Sequence, residues 1–320
     1  VEHVAADITL GGKITVPVQM LYDIVRKLPD DAEINFKQSG DQLVVSSGRA
    51  VFRLPTLPAE NFPAMAGSNL TTKFQMTTGD LAHLINQTKF AIPTDDVRYH
   101  LGGIYFHISD EGKEKMLTAV ATDAQRMALC AMPAPEGSAD MPAVILPRRV
   151  IGELSKLLED ATVDDCMVEL SDTKARFTVG SATLTSKLVD AQYPNYRVVI
   201  PKGNDKIAIL DRKQFVNAVD LVSVASVDKT KSVQLTYSMN KLVVNASSPD
   251  AGTATQELDI EYNSDASFTV TFNVKFLLDV AGQVEGEKFQ MEMQDPLSPT
   301  IIKSTDKNTD ALFILMPMRM

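Results

Sequence analysis

The stretch "ILPRRVIGELSKLL", residues 145–158, has the spacing of an amphipathic helix. Val150, Ile151, Leu154, Leu157 and Leu158 fall on one stripe, and Arg148, Arg149, Gly152 and Lys156 lie opposite. What decides the fold is that this stretch has two counterparts. They are "TVPVQMLYDIVRKL" at 15–28 and "TFNVKFLLDVAGQV" at 271–284. In the first, Leu21, Ile24, Val25 and Leu28 form the stripe, with Arg26 and Lys27 off it. In the third, Phe276, Leu277, Val280 and Val284 form it, with Lys275 and Gly282 off it. Each helix pattern is followed by three segments of alternating apolar and polar residues, the mark of half-buried strands. Pro17 and Pro147 are 130 residues apart, and Pro147 and Asn273 are 126 apart.

Between these stretches lies a second kind of helix-plus-strands unit. "KFQMTTGDLAHLINQTKFAI" (73–92) leads into "GGIYFHI", "KMLTAVATD" and "RMALCAMP". Its equivalent, "KIAILDRKQFVNAVDLVSVA" (206–225), leads into "SVQLTYS", "KLVVNAS" and "TQELDIEY". A β-α-β-β-β half-unit therefore occurs twice per repeat. A period this long excludes a solenoid of ~20–50-residue repeats and predicts three similar α+β domains in a row. By the same count Val1 falls near the last strand of a first half-unit, so an opening half-unit of roughly 50 residues is expected ahead of it. The expected domains are 1–70, 71–202 and 203–320.

Composition narrows the class. Of 320 residues, 44% are hydrophobic and 22% charged, as in an ordinary well-cored globular protein. No run approaches the ~18 apolar residues of a membrane span. Cys130 and Cys166 lie in apolar stretches and are expected to be small buried hydrophobes in a reducing, cytoplasmic compartment. The 41 acids outnumber 31 bases, giving a net charge of −10. That excess argues against a tight nucleic-acid binder unless the bases gather on one surface. Arg148, Arg149, Lys156, Arg212, Lys213, Lys229 and Lys275 are candidates, although Glu153, Asp220 and Asp279 interrupt them.

No catalytic constellation emerges. His3, His83, His100 and His107 have no metal-ligand spacing with one another or with the cysteines. There is no phosphate-binding glycine loop, no G-x-S-x-G and no H-E-x-x-H. "TDDVRYH" gathers Asp95, Asp96, Arg98 and His100 in a loop, and a polar loop explains it better than a hydrolytic site. Asp123 and Arg126 in "ATDAQRM" suit a turn salt bridge.

Four segments carry a resemblance: "VATDAQRMA" (120–128), "LTSKLVDAQYPNYRVVIP" (184–201), "FNVKFLLDV" (272–280) and the terminal "MPMRM" (316–320). Together with the threefold repeat, they resemble the bacterial DNA polymerase III sliding clamp (β subunit) family over the whole chain. The resemblance implies a DNA-clamp fold, with three similar domains forming half of a closed homodimeric ring around duplex DNA. It implies no catalytic activity, no cofactor and no metal. The implied partners are the polymerase III catalytic subunit, an ATP-driven clamp loader, and other polymerases and repair proteins with short clamp-binding motifs.

The resemblance also implies site residues. A peptide-binding groove between the second and third domains would contain Arg98, His100, Leu101, Thr122, Asp123, Arg126, Met127, Pro194, Val198, Val199, Asn273, Phe276, Ile314, Met316, Pro317, Met318, Arg319 and Met320. Methionine suits such a groove because it is unbranched and polarizable. Core packing is the competing reading of Ile314 and Met316, and a disordered end that of residues 318–320. DNA-facing helices would present Arg26, Lys27, Arg148, Arg149, Lys156, Arg212, Lys213 and Lys275. The ring seam would join Phe52 and Leu54 to Val224 and Ala225. Many clamps have Gly-His where this chain has Ala124-Gln125, an aromatic residue at His100 and a base at Val198. Some have a leucine in place of Ala225. The alternative reading is a repeat scaffold that binds protein partners without DNA.

Overall fold

The computed structural model describes every residue except 63–69, 96, 112–113, 227–230, 265, 307–309 and 320, and all described side chains except those of Asn61 and Glu111. Asp96, Lys229 and Met320, singled out above, therefore lie outside the described residues. Val4–Ser68 form one compact unit, and residues 1–3 with 69–320 form another.

In the smaller unit, helix α1 (Val18–Val25) precedes an antiparallel meander of β1 (Asn35–Ser39), β2 (Gln42–Ser47) and β3 (Ala50–Pro55). Ile24, Leu43, Val45 and Leu54 form its core. The expected stripe is shorter in the structure, for α1 stops before Leu28 and Val25 is exposed. Pro29 follows directly, and a residue before proline is disfavoured in helical geometry.

The larger unit holds the second and third repeats. The second runs β4 (Thr72–Thr77), α2 (Thr78–Thr88), β5 (Gly103–Glu111), β6 (Glu114–Thr122) and β7 (Arg126–Pro133). It continues with β8 (Val144–Pro147), α3 (Arg148–Glu159), β9 (Asp165–Leu170), β10 (Lys174–Val179) and β11 (Ala182–Lys187). The third runs β12 (Lys206–Asp211), α4 (Arg212–Ser223), β13 (Ser232–Ser238), β14 (Lys241–Ser248) and β15 (Gly252–Asp259). After β16 (Glu261–Tyr262) come β17 (Phe268–Asn273), α5 (Val274–Gln283), β18 (Lys288–Met293), β19 (Thr300–Ser304) and β20 (Ala311–Leu315). The predicted strand "TQELDIEY" is divided at Ile260, so that β15 pairs with β14 and β16 with β12 in a different sheet.

The leading strand of each half-unit crosses to the sheet of its sister: β4 pairs with β9, β8 with β5, β12 with β18 and β17 with β13. The two halves of a repeat are thus interlocked by backbone hydrogen bonds. Gly103 permits one crossing, because a Cβ there would lie 2.0 Å from the carbonyl oxygen of Leu146. Each helix begins at the residue after its leading strand. Thr77, Asp211 and Asn273 cap α2, α4 and α5 by accepting from the amides of Asp80, Gln214 and Phe276. The α3 stripe is buried as predicted at Val150, Ile151, Leu154 and Leu158, and Arg148, Arg149, Gly152 and Lys156 are exposed. Cys130 and Cys166 are unpaired and buried. Among the described residues no helix is long and apolar enough to cross a membrane.

One sheet spans both repeats. Its nine strands run β16-β12-β18-β19-β20-β7-β6-β5-β8, and the junction is the antiparallel pairing of β20 with β7, from Ala311 opposite Cys130 to Leu315 opposite Arg126.

Candidate functional site

At that junction, β6 and β7 are joined by a turn in which the side chains of Thr122, Asp123 and Arg126 are tied down. Thr122 Oγ1 donates to the Arg126 carbonyl (2.8 Å) and accepts from the Ala124 amide (3.1 Å). Asp123 Oδ1 accepts from the amides of Gln125 (3.0 Å) and Arg126 (2.9 Å). Ala124 has φ +73°, a left-handed conformation that costs a residue with a Cβ. The departure from Gly-His noted above is thus a strained position.

The turn aims Arg126 inward. Its guanidinium donates to Asp123 Oδ2 (3.1 Å), to the Phe90 carbonyl (2.9 Å) and to Asp279 on α5. It also lies over the Phe276 ring at 4.5 Å and the Phe90 ring at 5.2 Å. Arg126 is therefore the bolt between β7 of the second repeat and α5 of the third. Asp279, read from sequence as an acid interrupting a solvated face, is its ion-pair partner across 153 positions. Neither Asp279 nor Phe90 could have been assigned from spacing, since nothing local marks them. Arg98 braces the turn from outside by donating to the Asp123 carbonyl (2.7 Å) and to Asp95 (3.3 Å).

The chain's last segment is anchored twice. The Met316 amide donates to the Gln125 carbonyl and the Met318 amide to the Thr271 carbonyl, each at 2.8 Å. The competing reading of a disordered end does not hold at Met318, while Met316 leaves its side chain exposed. Pro317 and Met318 are half-buried and Arg319 is exposed. Beneath lies a separate cluster of Leu101, Val120, Met127, Ile145, Tyr193, Tyr196 and Ile314. Leu101, Met127 and Ile314, expected to line a groove, are 4%, 2% and 3% exposed and pack within this cluster. The reason is strand alternation, which turns Met127 and the paired Ile314 to the same covered face.

The segment after β11 is laid on this cluster by aromatic packing. Tyr105 stacks on Tyr193 at 4.6 Å and on His107 at 4.8 Å, and His107 contacts Tyr196. His107 Nδ1 donates to the Ile108 carbonyl (3.0 Å), leaving Nε2 to accept from the Tyr196 hydroxyl (2.9 Å). Burial lowers the pKa of His107 and keeps the ring neutral. With Tyr196 anchored, the turn Tyr196–Val199 presents Val198 (75% exposed) and Val199 (50%), and Pro194 is exposed beside it. His100 is half-buried in the turn Tyr99–Leu101, and Asn273 caps α5 below Phe276. Val97 and Tyr99, missed in the sequence, expose further apolar surface on the same loop.

The basic helix residues are at the surface with unequal freedom. Arg148 donates to the Pro93 carbonyl (3.3 Å), Arg212 to the Gly286 carbonyl (3.1 Å), and Lys156 pairs with Glu153 (3.4 Å). Arg149, Lys213 and Lys275 are exposed, as are Arg26 and Lys27 in the smaller unit. Of the residues expected at a seam, Val224 is exposed, but Leu54 and Ala225 are only 1% and 5% exposed. Leu54 and Ala225 pack into the cores of their own units, and Phe52 packs on the same core as Leu54.

Interlocked α+β repeats sharing one outer sheet, with a pinned tail beside an apolar shelf, define a clamp-type architecture. Models of the DNA polymerase III beta subunit match in order along the chain: the N-terminal domain at 1–66, the central domain at 75–195 and the C-terminal domain at 197–319. The beta sliding clamp of Caulobacter vibrioides (strain NA1000 / CB15N) is 42% identical over 318 residues, covering 98% of this chain and 84% of that protein. That of Escherichia coli (strain K12) is 35% identical over 309 residues, covering 97% and 82%. The crystal structure of the sliding clamp of Bartonella birtlesii bound to griselimycin superimposes with a TM-score of 0.95 at 41% identity, covering 100% of this chain and 85% of that one. The chain belongs to the DNA polymerase III beta subunit family, the beta sliding clamps. Its role is that of a sliding clamp in DNA replication, a processivity factor.

Two predictions follow from the site. Ala124→Gly relieves a left-handed alanine and is expected to stabilise the fold by about 0.5–1 kcal/mol, read as a higher calorimetric melting temperature. An unchanged or lower value would show that the turn is not strained. His107 titrates below its ordinary value in the fold, so its neutral form contributes stability above about pH 6.5. That contribution is lost as pH falls from there through the folded-state pKa, where the unfolded chain binds the extra proton. Urea midpoints between about pH 7.5 and 5 should accordingly fall less steeply for His107→Gln than for the unaltered protein.

Proposed function

We propose that this clamp closes as a head-to-tail homodimeric ring around duplex DNA and tethers the DNA polymerase III catalytic subunit through short peptide motifs. Its domains are taken as 1–70, 71–202 and 203–320, and its setting as the cytoplasm. The peptides would lie across the buried cluster, against Met316, Met318, Val198, Val199 and Pro194. Arg98, His100, Thr122, Asp123, Arg126, Asn273 and Phe276 would form or brace the walls. The clamp loader and other polymerases or repair proteins would use the same dock.

The observation that carries this reading is the exposed Met316 side chain on a doubly anchored backbone, two residues after Ile314 of the buried cluster that also holds Tyr196. A flexible apolar side chain on a fixed backbone can adapt to different ligands without ordering the tail each time. Met316→Ala with Met318→Ala is expected to abolish calorimetric binding of a short Gln-Leu-rich clamp-binding peptide and leave the fold intact. Unchanged affinity would remove the dock from this groove.

For the DNA-facing surface, the support is where the bases stand. Arg148 and Arg149 open α3, and Arg212 and Lys213 open α4. A positive charge in the first helical turn opposes the helix dipole and costs roughly 0.3–1 kcal/mol. Such a placement adds positive potential at the expense of helix stability. A ring held topologically needs few phosphate contacts, and each contact contributes only about 0.9 to the slope of log affinity against log salt. Sliding is then compatible with a net charge of −10. Arg149→Glu is expected to raise the melting temperature while weakening DNA association at low salt, in a protein that after loading stays on circular but not linear DNA. DNA association unchanged by the substitution would take α3 off the DNA path, and equal loss from both DNAs would rule out topological tethering.

A further inference from the structure

The nine-stranded sheet brings together three metal-ligating side chains that no sequence spacing connects. His83 on α2, Cys130 on β7 and Asp310 just before β20 place one imidazole nitrogen, a sulfur and a carboxylate oxygen all within 4.8 Å of one another. His83 Nε2 is 3.1 Å from Asp310 Oδ1. Pairing of Ala311 with Cys130 puts Asp310 beside the thiol, and the Ala131 amide donates to the Asp310 carbonyl (2.9 Å). We propose that His83, Cys130 and Asp310 form a zinc-binding site that rivets the second repeat to the third.

Three features support a built site over a chance cluster. First, the donor set suits the ion: zinc is borderline-soft and accepts nitrogen, sulfur and oxygen together in a tetrahedron. Tetrahedral ligands at ~2.0–2.3 Å from the metal lie roughly 3.3–3.8 Å apart, so closure needs a contraction of up to about 1.5 Å from the 4.8 Å limit. Second, the far side of the imidazole has its outer partner. His83 Nδ1 is 3.4 Å from Glu285 Oε1, and Glu285 accepts from Gln87 Nε2 at 3.0 Å. In the metal-free site Nε2 donates to Asp310, so metal binding needs the ring proton on Nδ1, where the Glu285 carboxylate stands to accept it. The Gln87 amide oxygen is buried without a hydrogen-bond partner, so this corner keeps unspent polar capacity. Third, the site has an open side. Cys130 is fully buried, but the His83 and Asp310 side chains are 32% and 31% exposed, enough to admit the ion and a water as fourth ligand.

Binding is proton-coupled. The Cys130 thiol gives its proton to solvent and the thiolate sulfur bonds the zinc, with no change of oxidation state. Burial and the Asp310 carboxylate hold the metal-free thiol protonated, so the ion must replace a proton that the site already keeps.

Cobalt(II) is the probe, since a thiolate ligand produces a charge-transfer absorption that zinc abolishes by displacement. The full chain is expected to develop this band to saturation at one equivalent of cobalt, and zinc is expected to raise its melting temperature. Cys130→Ser and His83→Gln should each remove the band. Glu285→Gln should weaken cobalt binding about 10–100-fold as an outer partner, and Cys166→Ala should change nothing. If Cys130→Ser does not fold, the partly exposed His83→Gln decides the matter. No band in the unaltered protein, or a band that survives His83→Gln, would overturn the proposal.

Discussion

A single guanidinium holds the junction on which the site depends. Arg126 is withdrawn from water, and its desolvation cost is offset only because a carboxylate from its own turn, a carboxylate from the next repeat and a backbone carbonyl all accept from it. Two aromatic rings close the remaining faces. The β7–β20 backbone pairing sets the distance between the repeats, and Arg126 sets the angle at which α5 meets the turn. Lysine could not replace it, because one ammonium cannot reach in-plane acceptors in three directions.

The surface proposed as a dock separates rigidity from adaptability. Backbone amides of Met316 and Met318 are tied to neighbouring strands and turns, and the stacked tyrosines fix the opposite shelf. What remains free is the thioether of Met316 and the valines at 198 and 199. Under the proposed function, that division would let one groove take several apolar motifs at low entropic cost.

Charge follows a similar economy. The bases that begin α3 and α4, and Lys275 in the first turn of α5, work against the helix dipole, whereas α2 has Asp80 in its first turn. One acid on α3 is paired locally, Glu153 with Lys156, and charges on the exposed surface feel one another over only ~8 Å at physiological salt.

Periodicity alone determined the repeat, the half-unit order and the buried stripe of α3. Those depend on local apolar spacing, which chain length does not dilute. The turn pair Asp123–Arg126 was also legible, being three residues apart. Only the tertiary structure decided that leading strands cross between half-units, that Leu101, Met127 and Ile314 are buried in one cluster, and that Leu54 and Ala225 face inward. It alone brought Asp279 to Arg126 and His83 to Cys130 and Asp310. Strand pairing joins residues hundreds of positions apart through backbone hydrogen bonds common to every residue type, so no side-chain pattern announces which strands will meet.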